Sequence, residues 1–270
     1  MNNNKEPEIL ELIQYPSLSQ FNDILHFTST RYGGVSVGNY SSLNLGLYSD
    51  DNPENLHENF ARIFSKVGIQ KCQVFLPFQT HGDIVRIIDE GFLIQSINNH
   101  QNLLNGVDAI VTNLPNQFIG VSTADCVPIL LYDPVKKAIA AVHAGWRGTC
   151  KRIVSNTVKL MMKSYNTNPA DLIAVIGPSI SPEVYEVSYE LVDIYKKEKF
   201  ETEEIFFQKR GKLYLDLWTA NKLLLSESGL NDKNIAISGH CTYSQHEKFF
   251  SARRLGIKSG RLISGIMLKQ

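Results

Sequence analysis

The chain lacks several features that would place it in a simple structural or functional class. It has four cysteines among 270 residues, and no two of them form a C-x-x-C pair. This pattern excludes a disulfide-stabilised scaffold and a zinc finger with short ligand spacing. The formal net charge is zero, from 27 basic and 27 acidic residues. A balanced charge argues against a broad basic face, so we expect no nucleic-acid partner.

Long apolar segments are also missing. The longest strongly apolar run covers residues 127–132, whereas a helix that crosses a bilayer needs roughly 20 apolar residues. The first residues are polar and acidic, without the apolar stretch of a signal peptide. We therefore expect a cytoplasmic protein with no membrane partner, whose thiols are free or bound to a metal.

Strand-like and helix-like segments alternate along the chain, which predicts a mixed α/β fold. The clearest helix covers residues 53–67, because Asn52 suits the N-cap, Pro53 suits the first turn and Gly68 suits the end. Residues 80–83 predict a turn between two strands. The other predicted strands are 24–28, 109–112, 118–123, 127–132, 138–143, 172–177, 214–217, 235–238 and 263–268, and the other predicted helices are 151–165 and 217–227. Without repeats or a clear linker, we expect one domain.

Three residues with metal-binding or nucleophilic chemistry lie at the ends of apolar runs: His81, Cys126 and His143. Strand ends and the loops after them are where α/β proteins place functional side chains. Two imidazoles and one thiolate on separate segments suit a catalytic metal site with a fourth, open position. Each residue also has a plainer interpretation, as a buried small thiol or a hydrogen-bonded histidine.

The same residues allow two further interpretations. Cys126 and His143 together would suit nucleophilic catalysis by a thiolate–imidazolium pair without a metal. Two histidines and a cysteine would also suit copper, but a blue copper site adds a weak axial ligand that is often methionine. No methionine lies between residues 126 and 143, which disfavours copper in electron transfer.

A glycine-rich turn after His143 is a candidate anion site. Gly145, Gly148 and Thr149, with Trp146 and Arg147 between them, lead into a predicted helix. Free backbone N–H groups at a helix start favour phosphate. Arg147 would add a bidentate contact. Arg31 lies in a second glycine-rich loop that would close over a ligand. The plainer interpretations are a helix cap with a solvated arginine and a surface turn.

Eight short motifs, taken together and in order, resemble those of the YfiH/YlmD family of bacterial proteins, the laccase-domain family. They are FTSTRYGGVS at residues 27–36, SLNLG at 42–46, QTHG at 79–82, ADCVP at 124–128, HAGWRG at 143–148, IGPSI at 176–180, SARR at 251–254 and SGR at 259–261. The match runs from about residue 25 to the last residue.

The resemblance implies a single α-β-β-α layered domain over residues 25–270, related in fold to cysteine hydrolases, with residues 1–24 as an N-terminal extension or edge segment. It implies a zinc-dependent enzyme that takes a purine nucleoside and phosphate. The implied reactions are phosphorolysis of adenosine, inosine, guanosine and methylthioadenosine, and deamination of adenosine. The family's zinc ligands correspond to His81, Cys126 and His143. Family members are also discussed as copper-dependent polyphenol oxidases and as peptidoglycan-editing factors, so these roles stay open.

The implied reactions require contacts to phosphate and to the purine base, and residues of the motifs are candidates for both. The turn that begins at Gly145 would hold phosphate through Arg147, and Arg31 or Arg253 would close the site. Trp146 or Tyr32 would stack on the base. The usual deaminase signature with a catalytic glutamate is missing, and adjacency to Cys126 suggests Asp125 as the acid/base.

Overall fold

The computed structural model of the chain describes residues 9–70 and 74–270, so Cys72 lies outside the described residues. The strands are β1 (Leu12–Ile13), β2 (Ile24–Ser29), β3 (Val74–Phe75), β4 (Val85–Ile87), β5 (Ala109–Thr112), β6 (Phe118–Thr123), β7 (Val127–Asp133), β8 (Ala138–Ala144), β9 (Ile173–Ile176), β10 (Glu186–Val187), β11 (Phe206–Lys209), β12 (Lys212–Leu215), β13 (Ile235–Ile237) and β14 (Leu262–Leu268). The helices are α1 (Pro16–Ser19), α2 (Pro53–Val67), α3 (Glu90–Leu93), α4 (Ile97–Leu103), α5 (Trp146–Cys150), α6 (Ile153–Tyr165), α7 (Glu190–Lys197), α8 (Thr202–Ile205), α9 (Leu217–Glu227) and α10 (Ala252–Leu255). Short 3-10 helices cover Gly38–Tyr40, Pro169–Asp171 and Asp232–Asn234.

Two sheets pack face to face between layers of helices. The six-stranded sheet has the order β13-β9-β7-β8-β5-β4, and the five-stranded sheet has the order β1-β2-β14-β6-β3. Buried side chains from both sheets fill the space between them, including Leu130 and Ala141 from one and Val121 and Ile266 from the other. Helices α6 and α9 cover the outer face of the first sheet, and α2 covers the outer face of the second. The expected single, mixed α-β-β-α domain is confirmed.

Strand β8 shows how the residue pattern selects these layers. Ala138, Ala140 and Val142 face the helices, whereas Ile139 and Ala141 face the other sheet. Successive side chains alternate between the two faces of a strand. By this alternation, His143 lies on the face toward the second sheet, at the end of the interface between the two sheets.

Helix α2 matches its prediction at both ends. The side chain of Asn52 accepts a hydrogen bond from the backbone N–H of Glu54 at 2.9 Å, and Gly68 ends the helix with a φ of 70°. Its buried face is formed by Leu56, Asn59, Phe60, Ile63 and Phe64. Here local signals and packing agree, which is why both boundaries were predictable.

A predicted helix and a predicted strand have different bounds in the structure, whereas the predicted turn at residues 80–83 does lie between two strands. The helix predicted from residue 151 begins at Ile153, because Arg152 adopts a φ of 60° and separates α5 from α6. The strand predicted at 214–217 covers Lys212–Leu215 instead, since Asp216 caps α9 by accepting from the N–H of Thr219. The turn at residues 80–83 joins strands of different sheets, β3 and β4. The chain therefore crosses from one sheet to the other at His81.

Part of the segment expected to be an N-terminal extension or edge segment pairs with the edge of a sheet. Leu12–Ile13 pairs antiparallel with β2 at the edge of the five-stranded sheet, and Tyr15 and Leu18 are buried. The domain boundary at residue 25 stays a prediction. Within residues 9–70 and 74–270, no helix combines the length and apolar character needed to cross a membrane.

A buried histidine on β2 predicts a pH-dependent stability. The Nε2 atom of His26 accepts a hydrogen bond from the backbone N–H of Tyr15 at 3.0 Å, so the folded chain needs the neutral ring. Burial, with a smaller effect of the Lys269 charge, lowers the pKa of His26 from 6.5 to about 4. Between pH 6.5 and about pH 4, His26 is protonated in the unfolded chain but neutral in the folded chain. The free energy of unfolding therefore falls as the pH drops through this range.

We expect this effect to contribute up to about 3 kcal/mol, since each pKa unit is worth about 1.4 kcal/mol. The variant His26→Gln keeps a hydrogen-bond acceptor but does not titrate. Urea unfolding of both proteins from pH 7 to pH 4 measures the difference. Parallel pH profiles of the two proteins would contradict the assignment.

Candidate metal centre

The three residues singled out by the sequence come together in the fold. One potential ligand atom from each of His81, Cys126 and His143 lies within 4.8 Å of the other two. The β7–β8 hairpin brings Cys126 and His143 together, because Pro128 pairs with His143 and Cys126 lies just before β7. His81 comes from the turn before β4, where it adopts a φ of 61°. The two imidazole rings meet edge to face with centroids 4.8 Å apart.

A buried aspartate that the sequence reasoning missed connects the two histidines. One carboxylate oxygen of Asp108 accepts from Nδ1 of His143 at 2.7 Å and from the backbone N–H of His81 at 2.9 Å. The other oxygen accepts from the backbone N–H groups of Gly82 at 2.7 Å and Thr80 at 3.2 Å. Asp108 thus fixes the turn that carries His81 and leaves Nε2 of His143 for a metal.

One sequence signal could have found this residue. Asp108 directly precedes the apolar run of β5, and it is fully buried. A carboxylate next to a buried strand needs several donors to balance its lost hydration. Backbone N–H groups of the turn that carries His81 are candidate donors, but only the fold shows that they lie close to Asp108.

The electrostatics of the centre favour the metal-binding form of the thiol. Burial opposes ionisation of Cys126, but the charges and hydrogen bonds of His143 and His81 outweigh it and lower its pKa to about 6. Burial also opposes the charge on His143, whereas Cys126 and Asp108 stabilise it and raise its pKa to about 9. The thiolate is the form of cysteine that binds metals.

Both the shape and the donor set fit a metal ion with an open coordination position. A Cβ atom at Gly145 would lie 2.9 Å from Sγ of Cys126 and 3.2 Å from Cδ2 of His81, so a side chain there would crowd the ligands. Two imidazoles and one thiolate are typical ligands of catalytic zinc. No methionine lines the cavity around the centre, so the axial ligand typical of blue copper is missing among the described residues.

The centre opens into a cavity of about 690 Å³. One wall comes from residues 40–50 and 77–81 and carries Tyr40, Tyr48 and Phe78. A second wall comes from residues 252–261 and carries Arg253, Lys258 and Arg261, and Tyr185 also lines the cavity. This wall adjoins the first, because the ammonium of Lys258 lies 3.1 Å from the carboxylate of Asp50. The cavity therefore combines a metal-ligand cluster with an aromatic wall and an adjoining cationic wall.

A family model described as multi-copper polyphenol oxidoreductase laccase matches residues 25–269. The chain belongs to this family. The resemblance to YfiH/YlmD proteins inferred from the motifs is confirmed, because relatives with these two names match 94% and 98% of the chain.

Two of these relatives carry enzyme names. A protein of Bacteroides thetaiotaomicron named purine nucleoside phosphorylase is 42% identical over 259 residues, which cover 95% of this chain and 96% of that protein. A second relative, named adenosine deaminase, comes from an unknown prokaryotic organism. It is 40% identical over 247 residues, which cover 90% of this chain and 93% of that protein. The crystal structure of the hypothetical protein YfiH of Bacillus licheniformis matches with a TM-score of 0.87 and 30% identity, covering 98% of each chain.

The structure separates the expected substrate contacts into two groups. Arg253 lines the cavity, and Gly145 lies directly beside the metal-ligand cluster. Trp146 and Arg147 are not among the lining residues, and the Arg147 guanidinium stacks on the Trp146 ring at 4.3 Å. Arg31 is also outside the lining, where its guanidinium donates to the carbonyls of Ser41 and His246. Their roles in substrate binding stay predictions.

Asp125 has a different arrangement from the one expected. It precedes β7 with a φ of 89°, and its carboxylate accepts from the hydroxyls of Thr242 and Ser251 and from the N–H of Arg253. Three donors therefore occupy the carboxylate. It ties the Cys126 loop to the start of α10. Asp125 also lines the cavity, and its role in proton transfer stays a prediction.

Proposed function

We propose that the protein is a zinc-dependent purine nucleoside enzyme. Its proposed reactions are phosphorolysis of adenosine, inosine, guanosine and methylthioadenosine, and deamination of adenosine. The observation that carries the proposal is a His-Cys-His cluster that opens into a cavity lined by aromatic and cationic residues. Relatives named purine nucleoside phosphorylase and adenosine deaminase cover nearly the whole chain, which supports both reactions.

The residues of this centre have different proposed roles, in metal binding and in orientation of the ligands. His81, Cys126 and His143 would hold zinc, and Asp108 orients two of them. Bound zinc supplies Lewis-acid chemistry at its open position, including the activation of water. The cavity walls would hold the nucleoside and the phosphate in a reactive orientation, which is a large part of catalysis in a two-substrate reaction.

The cationic wall is the proposed phosphate site. In phosphorolysis, a phosphate oxygen bonds to the anomeric carbon while the carbon–nitrogen bond to the base breaks. The base leaves with the electron pair and takes a proton. Arg253 and Lys258 are exposed at the cavity. Arg261 holds the loop around Lys258 by donating to the carbonyls of Ile257, Ser259 and Gly260. Three cations suit a divalent anion.

The decisive experiment supplies adenosine with and without phosphate. Zinc-loaded protein should form inosine without phosphate, and adenine plus ribose-1-phosphate when phosphate is present, as followed by chromatography. A chelator should abolish both reactions, and elemental analysis should find zinc rather than copper. Protein with stoichiometric zinc that forms neither adenine nor inosine would refute the proposal.

Lys258 offers a specific test of the phosphate site. Its side chain is largely exposed, and its ammonium lies 3.1 Å from Asp50. The variant Lys258→Ala should raise the KM for phosphate about tenfold, because one charge-assisted contact is worth about 1.5 kcal/mol or more. The rate of deamination should not change, since it uses no phosphate.

Two matched variants complete this test. Lys222→Ala removes another ion-paired lysine, which is partly buried on α9 outside the cavity, and it should leave the phosphate KM unchanged. Arg147→Ala tests the site expected from the sequence. If Arg147→Ala weakens phosphate binding while Lys258→Ala does not, the phosphate binds at the start of α5 and the cationic-wall assignment is wrong.

One observation favours a second candidate function, a metal-free thiol hydrolase. His143 lies between Cys126 and Asp108, with 2.7 Å from Nδ1 to the carboxylate. This is the order of groups in a cysteine–histidine–carboxylate triad. Alkylation at Cys126 that abolishes activity in protein without zinc would favour this function over the metalloenzyme.

A further inference from the structure

Two exposed aromatic side chains on the cavity wall have no packing role in the core. Tyr48 is 54% exposed and Phe78 is 40% exposed. Both line the cavity of the metal-ligand cluster, and neither belongs to a hydrophobic cluster of the described chain. Their rings meet edge to face, with centroids 4.7 Å apart and planes at 87°. An exposed aromatic pair at a cavity indicates a binding surface.

Hydrogen bonds fix the backbone segments that carry the two rings. The N–H of Phe78 donates to the carbonyl of Leu104 at 3.0 Å, and the carbonyl of Phe78 accepts from the N–H of Gly106 at 2.9 Å. Tyr48 lies in a turn in which the N–H of Ser49 donates to the carbonyl of Gly46 at 3.0 Å. A ligand would therefore not need to order these segments on binding, and such preorganisation increases affinity.

The aromatic pair is close to the metal-ligand cluster along the chain. Phe78 precedes His81 by three residues, so their Cα atoms are at most about 11 Å apart. Gln79, between them, is fixed by hydrogen bonds to Ser122 in both directions. One nucleoside can span this distance. The cationic wall adjoins the aromatic wall, since Lys258 lies 3.1 Å from Asp50. No lysine or arginine lines the cavity within residues 40–50 and 77–81, where the aromatic pair lies.

We propose that Tyr48 and Phe78 form the subsite for the purine base of the nucleoside, an inference that rests on the proposed function. An edge-to-face pair is rigid and leaves a ring face open for stacking with a planar ligand. Stacking tolerates different exocyclic groups, because every base has a π-face. The subsite therefore accepts adenine, hypoxanthine and guanine alike, and it binds the smaller pyrimidines less tightly.

The test measures adenosine binding and turnover by zinc-loaded Phe78→Ala and Phe78→Leu proteins. Loss of the aromatic ring that stacks on the base should weaken adenosine binding about tenfold or more. Calorimetry measures this effect as a higher Kd, and turnover measures it as a higher KM. Phe78→Leu keeps much of the side-chain volume, so an equal loss in both variants assigns the effect to the aromatic face. Phe78→Trp should retain binding. The KM for phosphate should stay unchanged in all three variants.

The chain contains a matched control. Phe207 on β11 is 39% exposed and stacks on Tyr214 with centroids 5.6 Å apart, but it does not line the cavity. Phe207→Ala should therefore keep the Kd for adenosine. If Phe78→Ala and Phe78→Leu keep it within twofold as well, the aromatic subsite is refuted.

The outcomes separate this inference from the proposed function. Adenosine binding that depends on Phe78, without any turnover, would refute the proposed reactions and support the subsite. Turnover of adenosine that is insensitive to Phe78 would refute the subsite and support the reactions. Wild-type protein that does not bind adenosine would overturn both.

Discussion

Replacement of His81 by alanine is expected to remove the bound metal and to lower kcat for adenosine turnover by about a thousandfold or more. Metal ions contribute several kcal/mol of transition-state stabilisation, and about 4 kcal/mol corresponds to a factor of a thousand. His81 lies on an exposed turn, so the variant should fold. Elemental analysis of the purified variant measures the metal, and chromatography of adenosine products measures the rate.

This variant also separates the two candidate functions. His81→Ala leaves Cys126, His143 and Asp108 in place, which are all the groups that a thiol hydrolase would need. A metalloenzyme loses its activity, whereas a thiol hydrolase keeps most of it. His57→Ala is the matched control, since His57 is exposed on α2, outside the cavity. Full activity of His81→Ala protein without zinc would contradict the metalloenzyme.

The sequence predicted those parts of the site that have a local signal. Metal-binding or nucleophilic side chains lie beside apolar runs at His81, Cys126 and His143. Side chains at the ends of neighbouring strands lie together at one end of a sheet. Their convergence in the fold agrees with this reasoning. Asp108 has no such signal, because an acidic residue before a strand is also common on a surface. Its contribution depends on four donors that only the turn at residues 80–82 and β8 bring together.

The direction of the arginine side chains was not predictable from the sequence. The HAGWRG motif places Arg147 near a helix start, which favours an anion contact. In the fold, α5 is anchored by Tyr195, whose hydroxyl donates to the carbonyl of Trp146, and Arg147 stacks on the Trp146 ring. Arg253 reaches the cavity instead, since Asp125 fixes its backbone. Tertiary contacts set these directions, and no local pattern encodes them.

Replacement of Asp108 by asparagine should weaken both the metal site and the fold. The carboxylate accepts from three backbone N–H groups and from Nδ1 of His143. An asparagine presents an NH₂ group to some of these donors, and removing one partner of a buried charged pair costs about 3–5 kcal/mol. Loss of a group that orients metal ligands typically weakens metal binding about 10- to 100-fold. Urea unfolding of metal-free protein measures the first effect, and zinc titration against a competing chelator measures the second.

Asp133→Asn distinguishes orientation of the ligands from general stability. Asp133 is also fully buried, but it accepts from the backbone N–H groups of Val135 and Lys136 at the far end of β7. This control should keep the zinc Kd of the wild type. If Asp108→Asn protein is destabilised but binds zinc as tightly as the control, Asp108 only supports the fold. If zinc binding weakens while the control is unchanged, one carboxylate holds both histidines in the geometry that the metal needs, before any metal arrives.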